Sequence, residues 1–475
     1  MDRSNLGFAV FLVLLLLAPS VPVPGLAAAA GASPAAAGLI IWFMLASRLP
    51  LRAVLTMPTV LALIGFSVYA LLVSLASGQL VSIMYALQYG FYTTAGGALI
   101  AAYLVHKLRQ GRELEAWRIL AWVGAIYAAG IIVSYWTGPI WSVRGPGGKQ
   151  YESLLIIRAR GFSDSVNAAG GIAALFAAFH LFLYPSSRLR SGMLAALSFT
   201  AMVLTLSRSA IIAFALAISM VAALLVFRAI FLRGKVGPLR LRLVPIGFIL
   251  IGLVVGVVSS QQPMVVAAWE RLIGNEEYLD RDIEWRLRHW GRGAERWTEL
   301  SPTQQMIGEG FRTGDVWSTG AYATAHNSYI EFLSEFGIIG LLMFVSILAA
   351  SVLRSTWLIL SYRDNPLTRF SCCGVMVLII HNLTEVFFYD IATLIWLIVL
   401  LTCNELAGRR WAAPISGASR AAGPLLPGLP GDNATPWRGP ASTLRSPQRG
   451  LHGGASMSRR LGKDTLARGT STASE

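Results

Sequence analysis

Apolar runs of about twenty residues, the length that crosses a hydrocarbon slab about 30 Å thick, recur along this chain from Leu6 to Leu406. Spans are read at Leu6–Val23, Ala27–Ala46, Val54–Ala76, Leu80–Val105, Trp117–Thr137, Asn167–Tyr184, Gly192–Leu206, Ala210–Phe231, Leu243–Ser260, Tyr329–Leu353, Phe370–Phe388 and Ile391–Leu406. The pattern predicts an all-α polytopic membrane protein with about twelve transmembrane helices. Alternating sides from a cytoplasmic start puts Arg48 and Arg52, the group from Lys107 to Arg118, Arg188 and Arg190, the group from Arg228 to Arg242, and Arg354, Arg363 and Arg369 inside. That is the positive-inside arrangement, with both termini cytoplasmic. The first run, following Arg3 and preceding the small residues Ala27 to Ala30, reads alternatively as a cleaved signal peptide.

Composition sharpens this reading. Apolar residues make up 55% of the chain and charged ones 13%, about half the charged share of a soluble domain. The net charge of +15 comes from short Lys/Arg clusters between apolar runs, which suits topology and lipid headgroups rather than nucleic acid. Cys372, Cys373 and Cys403 lie inside apolar runs, so neither a disulfide framework nor a metal spacing is visible. Residues 1–407 read as a transmembrane domain and 408–475, rich in Arg, Pro, Gly and Ser, as a disordered basic cytoplasmic tail.

Two segments on the far face break the pattern, 138–166 and 261–328. The second is too long for a turn and is expected to fold on the outer surface. Within it Ile283, Leu287, Trp290, Ala294 and Trp297 share one helical face, with Arg281, Arg288, Arg292 and Arg296 opposite. Such a helix lies flat on the bilayer or on top of the bundle, its arginines on a solvated face. Arg286 is the exception, on the flank of the apolar stripe.

The sharpest local feature is Ala325-His326-Asn327-Ser328-Tyr329-Ile330-Glu331. Ser328 and Glu331 have capping-box spacing, which starts a helix at Tyr329 and puts His326 and Asn327 just before its positive end. His326 reads as a proton acceptor beside an anion-favouring helix start, or as a loop histidine beside an ordinary cap. Arg208, in Thr205-Leu206-Ser207-Arg208-Ser209, has apolar neighbours on both sides and reads as an anion ligand or a snorkelling anchor. Arg158 and Arg160, before the sixth span, carry the same two readings.

Weaker signals remain. Gly308-Glu309-Gly310 lacks the strand and helix of a nucleotide fingerprint and reads as a turn. Glu276, Glu277, Asp280 and Asp282 lack a metal-ligand pattern and read as a solvated patch. His381 and Glu385, near the outer end of the eleventh span, line a cavity or cap a helix.

The order of these pieces resembles the O-antigen ligase and polysaccharide polymerase superfamily of bacterial inner membranes. The resemblance is strongest from Arg158 to Leu342. It rests on Arg160-Gly161 with Asn167, Thr205-Leu206-Ser207-Arg208-Ser209, Arg286 before Trp290, Gly308 with Gly310, and His326-Asn327-Ser328-Tyr329 followed by Glu335, Gly337 and Gly340. It implies an inverting glycosyltransferase that moves a glycan from a polyprenyl diphosphate to an acceptor sugar at the periplasmic face, with no cofactor or metal. The acceptor is lipid A core for a ligase or another carrier-linked glycan for a polymerase. The resemblance further implies His326 as general base and Arg160, Arg208 and Arg286 as ligands of the donor diphosphate, with Arg158, Asn327 and Glu385 in support. Glu309 and the long basic tail depart from the family's commonest form. Twelve spans also describe secondary transporters, but no repeated halves are visible and the candidate polar groups cluster at one face.

Overall fold

The computed structural model describes residues 5–10, 12, 49, 51–137, 159–161, 163, 165–183, 188–232, 276–311, 325–361, 365–385, 388 and 391–412. Most of the spans expected at Leu6–Val23 and Ala27–Ala46, all of that at Leu243–Ser260, Arg158 and the tail beyond Ala412 lie outside these residues. Regular structure among the described residues is helical throughout. A short α1 (Leu51–Leu55) leads into α2 (Pro58–Ala76) and α3 (Leu80–Phe91), which continues through a π-turn (Tyr92–Gly96) into α4 (Gly97–Arg109). Next come α5 (Glu113–Thr137), α6 (Val166–Phe182), α7 (Arg188–Leu204) and α8 (Arg208–Phe231). The long-loop helix α9 (Glu276–Glu299) and the short α10 (Pro302–Ile307) precede α11 (Ser328–Leu360), α12 (Pro366–His381) and α13 (Ile391–Ala412).

Of these, α2, α5, α8 and α11 are long and apolar enough to cross a membrane, and shorter apolar helices accompany them. The outward positions are those of a protein dissolved in lipid. Leu61, Val68, Leu72 and Leu75 on α2, and Ile212 and Leu216 on α8, are exposed. In water that surface would be an aggregation liability; against acyl chains it costs nothing. α12 forms the interior, touching α6, α8, α11 and α13. Its Cys372 and Cys373 are fully buried free thiols.

One helix departs from regularity where the site begins. α11 breaks at Gly337, whose φ of 62° and ψ of −173° belong to a backbone region that only glycine enters readily. A break inside an apolar helix leaves carbonyls unpaired, which hydrocarbon does not tolerate. Here Glu309 N–H donates to the Ser334 carbonyl (3.2 Å) and Gly310 N–H to the Glu335 carbonyl (3.0 Å). The Tyr69 hydroxyl lies against the carbonyls of Phe336 (2.9 Å) and Ile307 (3.0 Å). The Gly308–Gly310 turn is therefore a staple for a broken helix, and glycine is needed for the approach. A Cβ on Gly308 would collide with the Glu335 carbonyl, and one on Gly337 with that of Met306.

Gly337→Ala is accordingly expected to lower stability by about 1–3 kcal/mol from its backbone conformation alone, with the collision added. Gly192→Ala, which meets open space on α7, should be neutral or slightly stabilising. Thermal unfolding of the two variants in detergent checks this; equal midpoints would dismiss the staple.

Candidate functional site

The start of α11 and the turn after α12 are stitched together by polar groups. Asn327 is the N-cap of α11, its side-chain oxygen accepting the N–H groups of Tyr329 (2.9 Å) and Ile330 (3.2 Å). This corrects the expected capping box by one residue: Ser328 is already helical, and Glu331 reaches past it to the N–H of Ala325. Ser328 is free for another task. Its N–H donates to the carbonyls of Asn382 (3.0 Å) and Glu385 (3.2 Å), and its hydroxyl to Asn382 Oδ1 (2.5 Å). Asn382 Oδ1 also accepts Phe388 N–H at 2.9 Å.

These bonds present Glu385 to groups that are distant in sequence. Its Oε1 accepts from Asn167 Nδ2 (2.6 Å) and Arg286 Nη2 (3.1 Å), while Arg286 Nη1 donates to the Thr384 carbonyl. Its Oε2 lies 3.5 Å from His326 Nδ1. Burial by itself would raise the Glu385 carboxyl, but the His326 ring facing it and the Arg286 guanidinium outweigh this and hold it below the ordinary carboxylate range. An ionised carboxylate at Nδ1 keeps the proton on that nitrogen and leaves Nε2 of the neutral ring as the basic atom.

Three helix starts meet the turn 381–385. The first is α11, through Ser328. The second is α6, capped by Ser165, whose Asn167 carbonyl lies 3.1 Å from His381 Nε2. The third is α8, whose Ser209 backbone lies beside the His381 ring. Two of the starts follow a left-handed residue. Leu206 (φ 51°) and His326 (φ 50°) are the two non-glycine residues with positive φ among the described residues, and each directly precedes an N-cap. For a buried leucine that conformation is a true outlier, of the kind held at working sites.

Of the expected site residues, the structure brings His326, Glu385 and Arg286 into one contact set, with Asn327 beside it as the cap of α11. Arg208 opens α8, and the loop before it packs on Gly170 of α6, one turn from Asn167. Arg160 is placed beside that loop by Ala159 N–H, which donates to the Leu204 carbonyl at 3.1 Å.

α9 forms as expected but docks with its face rotated toward the polar flank of the apolar stripe. Trp290 and Trp297 of the stripe are half-buried, and Arg286, His289, Gly293 and Arg296 join them, with His289 only 8% exposed and Gly293 tight against Ile330 and Ala325. Arg296 is not on a solvated face: it pairs with Glu309 at 2.5 Å, both half-buried or deeper. Ile283 and Leu287, from the apolar stripe, stay exposed. Arg288 is solvated as expected, with an exposed partner in Glu284 at 2.7 Å. Sequence reasoning missed His289 and Trp285. Their signal was a histidine three residues after Arg286, on the same helical face, and an aromatic four residues before that histidine.

Residues 193–345 match a family model described as O-antigen ligase. Over that segment the chain is similar to the O-antigen ligase family. This segment runs from α7 to the middle of α11 and contains Arg208, Arg286, the Gly308–Gly310 turn and His326, while Arg160, Asn167 and Glu385 lie outside it. It supports an O-antigen ligase-like function for a membrane-embedded protein. A comparison with curated proteins finds no match to the chain.

Proposed function

We propose that this protein transfers a glycan from a polyprenyl diphosphate to a hydroxyl of an acceptor sugar at the periplasmic face of a bacterial inner membrane, without a metal. The observation that carries the reading is the convergence of three helix starts, Arg286 and the Glu385–His326 pair on one turn. Helix starts and guanidinium groups favour an anion, and an oriented imidazole favours a hydroxyl proton. A diphosphate leaving group beside an attacking alcohol needs both.

In the step, the acceptor oxygen bonds to the anomeric carbon as the carbon–oxygen bond to the diphosphate breaks, inverting that carbon. The electron pair departs with the polyprenyl diphosphate, whose charge Arg160, Arg208 and Arg286 stabilise. The hydroxyl proton moves to His326 Nε2, and Glu385 stabilises the imidazolium through Nδ1 before water removes the proton. The Lys/Arg-rich loops support this sidedness: a chain of about twelve spans with both termini cytoplasmic carries the site on the outer face. An acceptor of lipid A core makes the protein a ligase; a carrier-linked glycan makes it a polymerase.

The test uses the full chain in proteoliposomes supplied with carrier-linked donor and each acceptor in turn. Lysine offers a point charge where a diphosphate needs a planar fork. Arg208→Lys and Arg286→Lys should therefore lose roughly tenfold to a hundredfold in transfer, with weaker donor binding. Arg288→Lys, on the solvated face of α9, should be nearly silent. Equal activity in all three variants would dismiss the arginine clamp.

A further inference from the structure

α9 lays two rings against the proposed base that the reaction above leaves unused. The Trp285 indole sits 4.8 Å from the His326 ring, inclined at 58°, and 3.9 Å from His289. His289 lies 6.4 Å from His326, edge to face. A tryptophan packed against two imidazoles would ordinarily be covered, yet Trp285 remains 38% exposed, beside a His326 side chain that is itself 28% exposed. Part of the indole thus stays exposed beside the proposed base.

His289 is oriented by its own helix. Its Nδ1 lies 2.7 Å from the Trp285 carbonyl, and a carbonyl only accepts, so Nδ1 carries the proton. In the neutral ring Nε2 then holds a lone pair, as it does in His326. Two imidazoles with the same tautomer, one of them buried, stand next to an open indole.

This set discriminates among the molecules that could reach it. A diphosphate has no donors for an imidazole lone pair and is better served by the arginines. A prenyl chain has no use for a polar nitrogen and would leave it desolvated and unpaired. A sugar ring matches both features: its C–H face is apolar and weakly positive against the negative face of an indole, and its hydroxyls donate to imidazole nitrogens.

We propose that Trp285 and His289 form the acceptor subsite, the acceptor's terminal sugar ring lying on the open indole and donating one hydroxyl to His289 Nε2 while the attacking hydroxyl faces His326. The subsite rests on the transfer reading above and deepens it. The match of chemistry is that of carbohydrate sites in general, an aromatic floor with a few fixed polar groups.

The experiment measures KM for acceptor and for carrier-linked donor separately, using the full chain in proteoliposomes with purified lipid A core and, in a second arm, carrier-linked glycan as acceptor. Trp285→Ala should raise the acceptor KM roughly tenfold, with donor KM little changed. Trp285→Phe, which keeps an aromatic floor and the packing on both imidazoles, should recover most of the affinity and so separates ring loss from misfolding. His289→Ala should also raise the acceptor KM, and His289→Gln, which offers an amide oxygen near the place of Nε2, should restore part of it. An increase confined to donor KM would reassign Trp285 to the prenyl carrier, and a fall in kcat with both KM values unchanged would make it a packing residue; either overturns the subsite. If the wild-type protein transfers glycan and Trp285→Ala keeps its acceptor KM, the subsite alone falls; if the wild type transfers none in either arm, the transfer reading falls with it.

Discussion

Replacing His326 by alanine is expected to reduce glycan transfer by about a hundredfold to ten-thousandfold, the usual cost of removing a general base. Donor binding should be little changed, because the proposed diphosphate ligands are Arg160, Arg208 and Arg286. The backbone complicates the alanine variant, since His326 holds a φ of 50° that alanine adopts at a cost of about 1–2 kcal/mol. His326→Asn is the better companion: asparagine tolerates the left-handed conformation but supplies no base at neutral pH. Both variants should therefore be inactive, with Asn327 still capping α11 and thermal stability better kept in the asparagine form. Substantial transfer by His326→Asn would remove His326 from the chemistry.

Glu385→Gln is expected to be as damaging, about a thousandfold or more, although the side chain changes by one atom. An amide N–H turned toward His326 Nδ1 would force the other tautomer and take the lone pair from Nε2, as when the carboxylate of a catalytic triad is amidated. The change also leaves Arg286 without its partially buried counter-ion. Removing one member of such a pair costs about 3–5 kcal/mol when burial is complete, and less here, where Arg286 is 22% exposed. The pH dependence has a definite sign. The folded-state carboxyl titrates below its reference value of 4.5, so its contribution to stability is fully present above that pH and is lost as the pH falls through the lower, folded value. Wild-type protein should lose stability more steeply than Glu385→Gln on acidification below pH 4.5. Thermal midpoints across that range, together with transfer rates near neutrality, check both parts; an unaltered rate would show that the carboxylate does not orient the imidazole.

Hydropathy was sufficient to find most of the described helices, though not always their ends, because a span must be apolar whatever it packs against. Tyr329–Leu353 is seen at Ser328–Leu360, and Ala210–Phe231 at Arg208–Phe231. The same signal misled on α9. An apolar stripe identifies the least water-soluble face of a helix, but the face that docks takes only Trp290 and Trp297 from it and adds Arg286, His289, Gly293 and Arg296, which no hydrophobic pattern marks. Arg296 read as solvated because Glu309 lies thirteen residues further on, beyond a turn. Glu385 was visible only as an acidic residue near a span end. Its partners Asn167 and Arg286 are separated from it by 218 and 99 positions, and no local spacing reports such a meeting. The break at Gly337 was equally hidden, since the apolar run continues through it.

That break gives α11 a joint. The short piece that carries Asn327 and Ser328 takes its orientation from the Gly308–Gly310 turn, Tyr69 and the turn after α12, whereas the piece beyond Gly337 runs on to Leu360 among the other spans. A long apolar helix meets a thicker or thinner bilayer by changing its tilt. With its last carbonyls already bound by other segments, the front piece need not follow, so hydrophobic mismatch can be absorbed at Gly337 before it reaches His326. Bilayer thickness is thereby uncoupled from the geometry around His326 and Glu385.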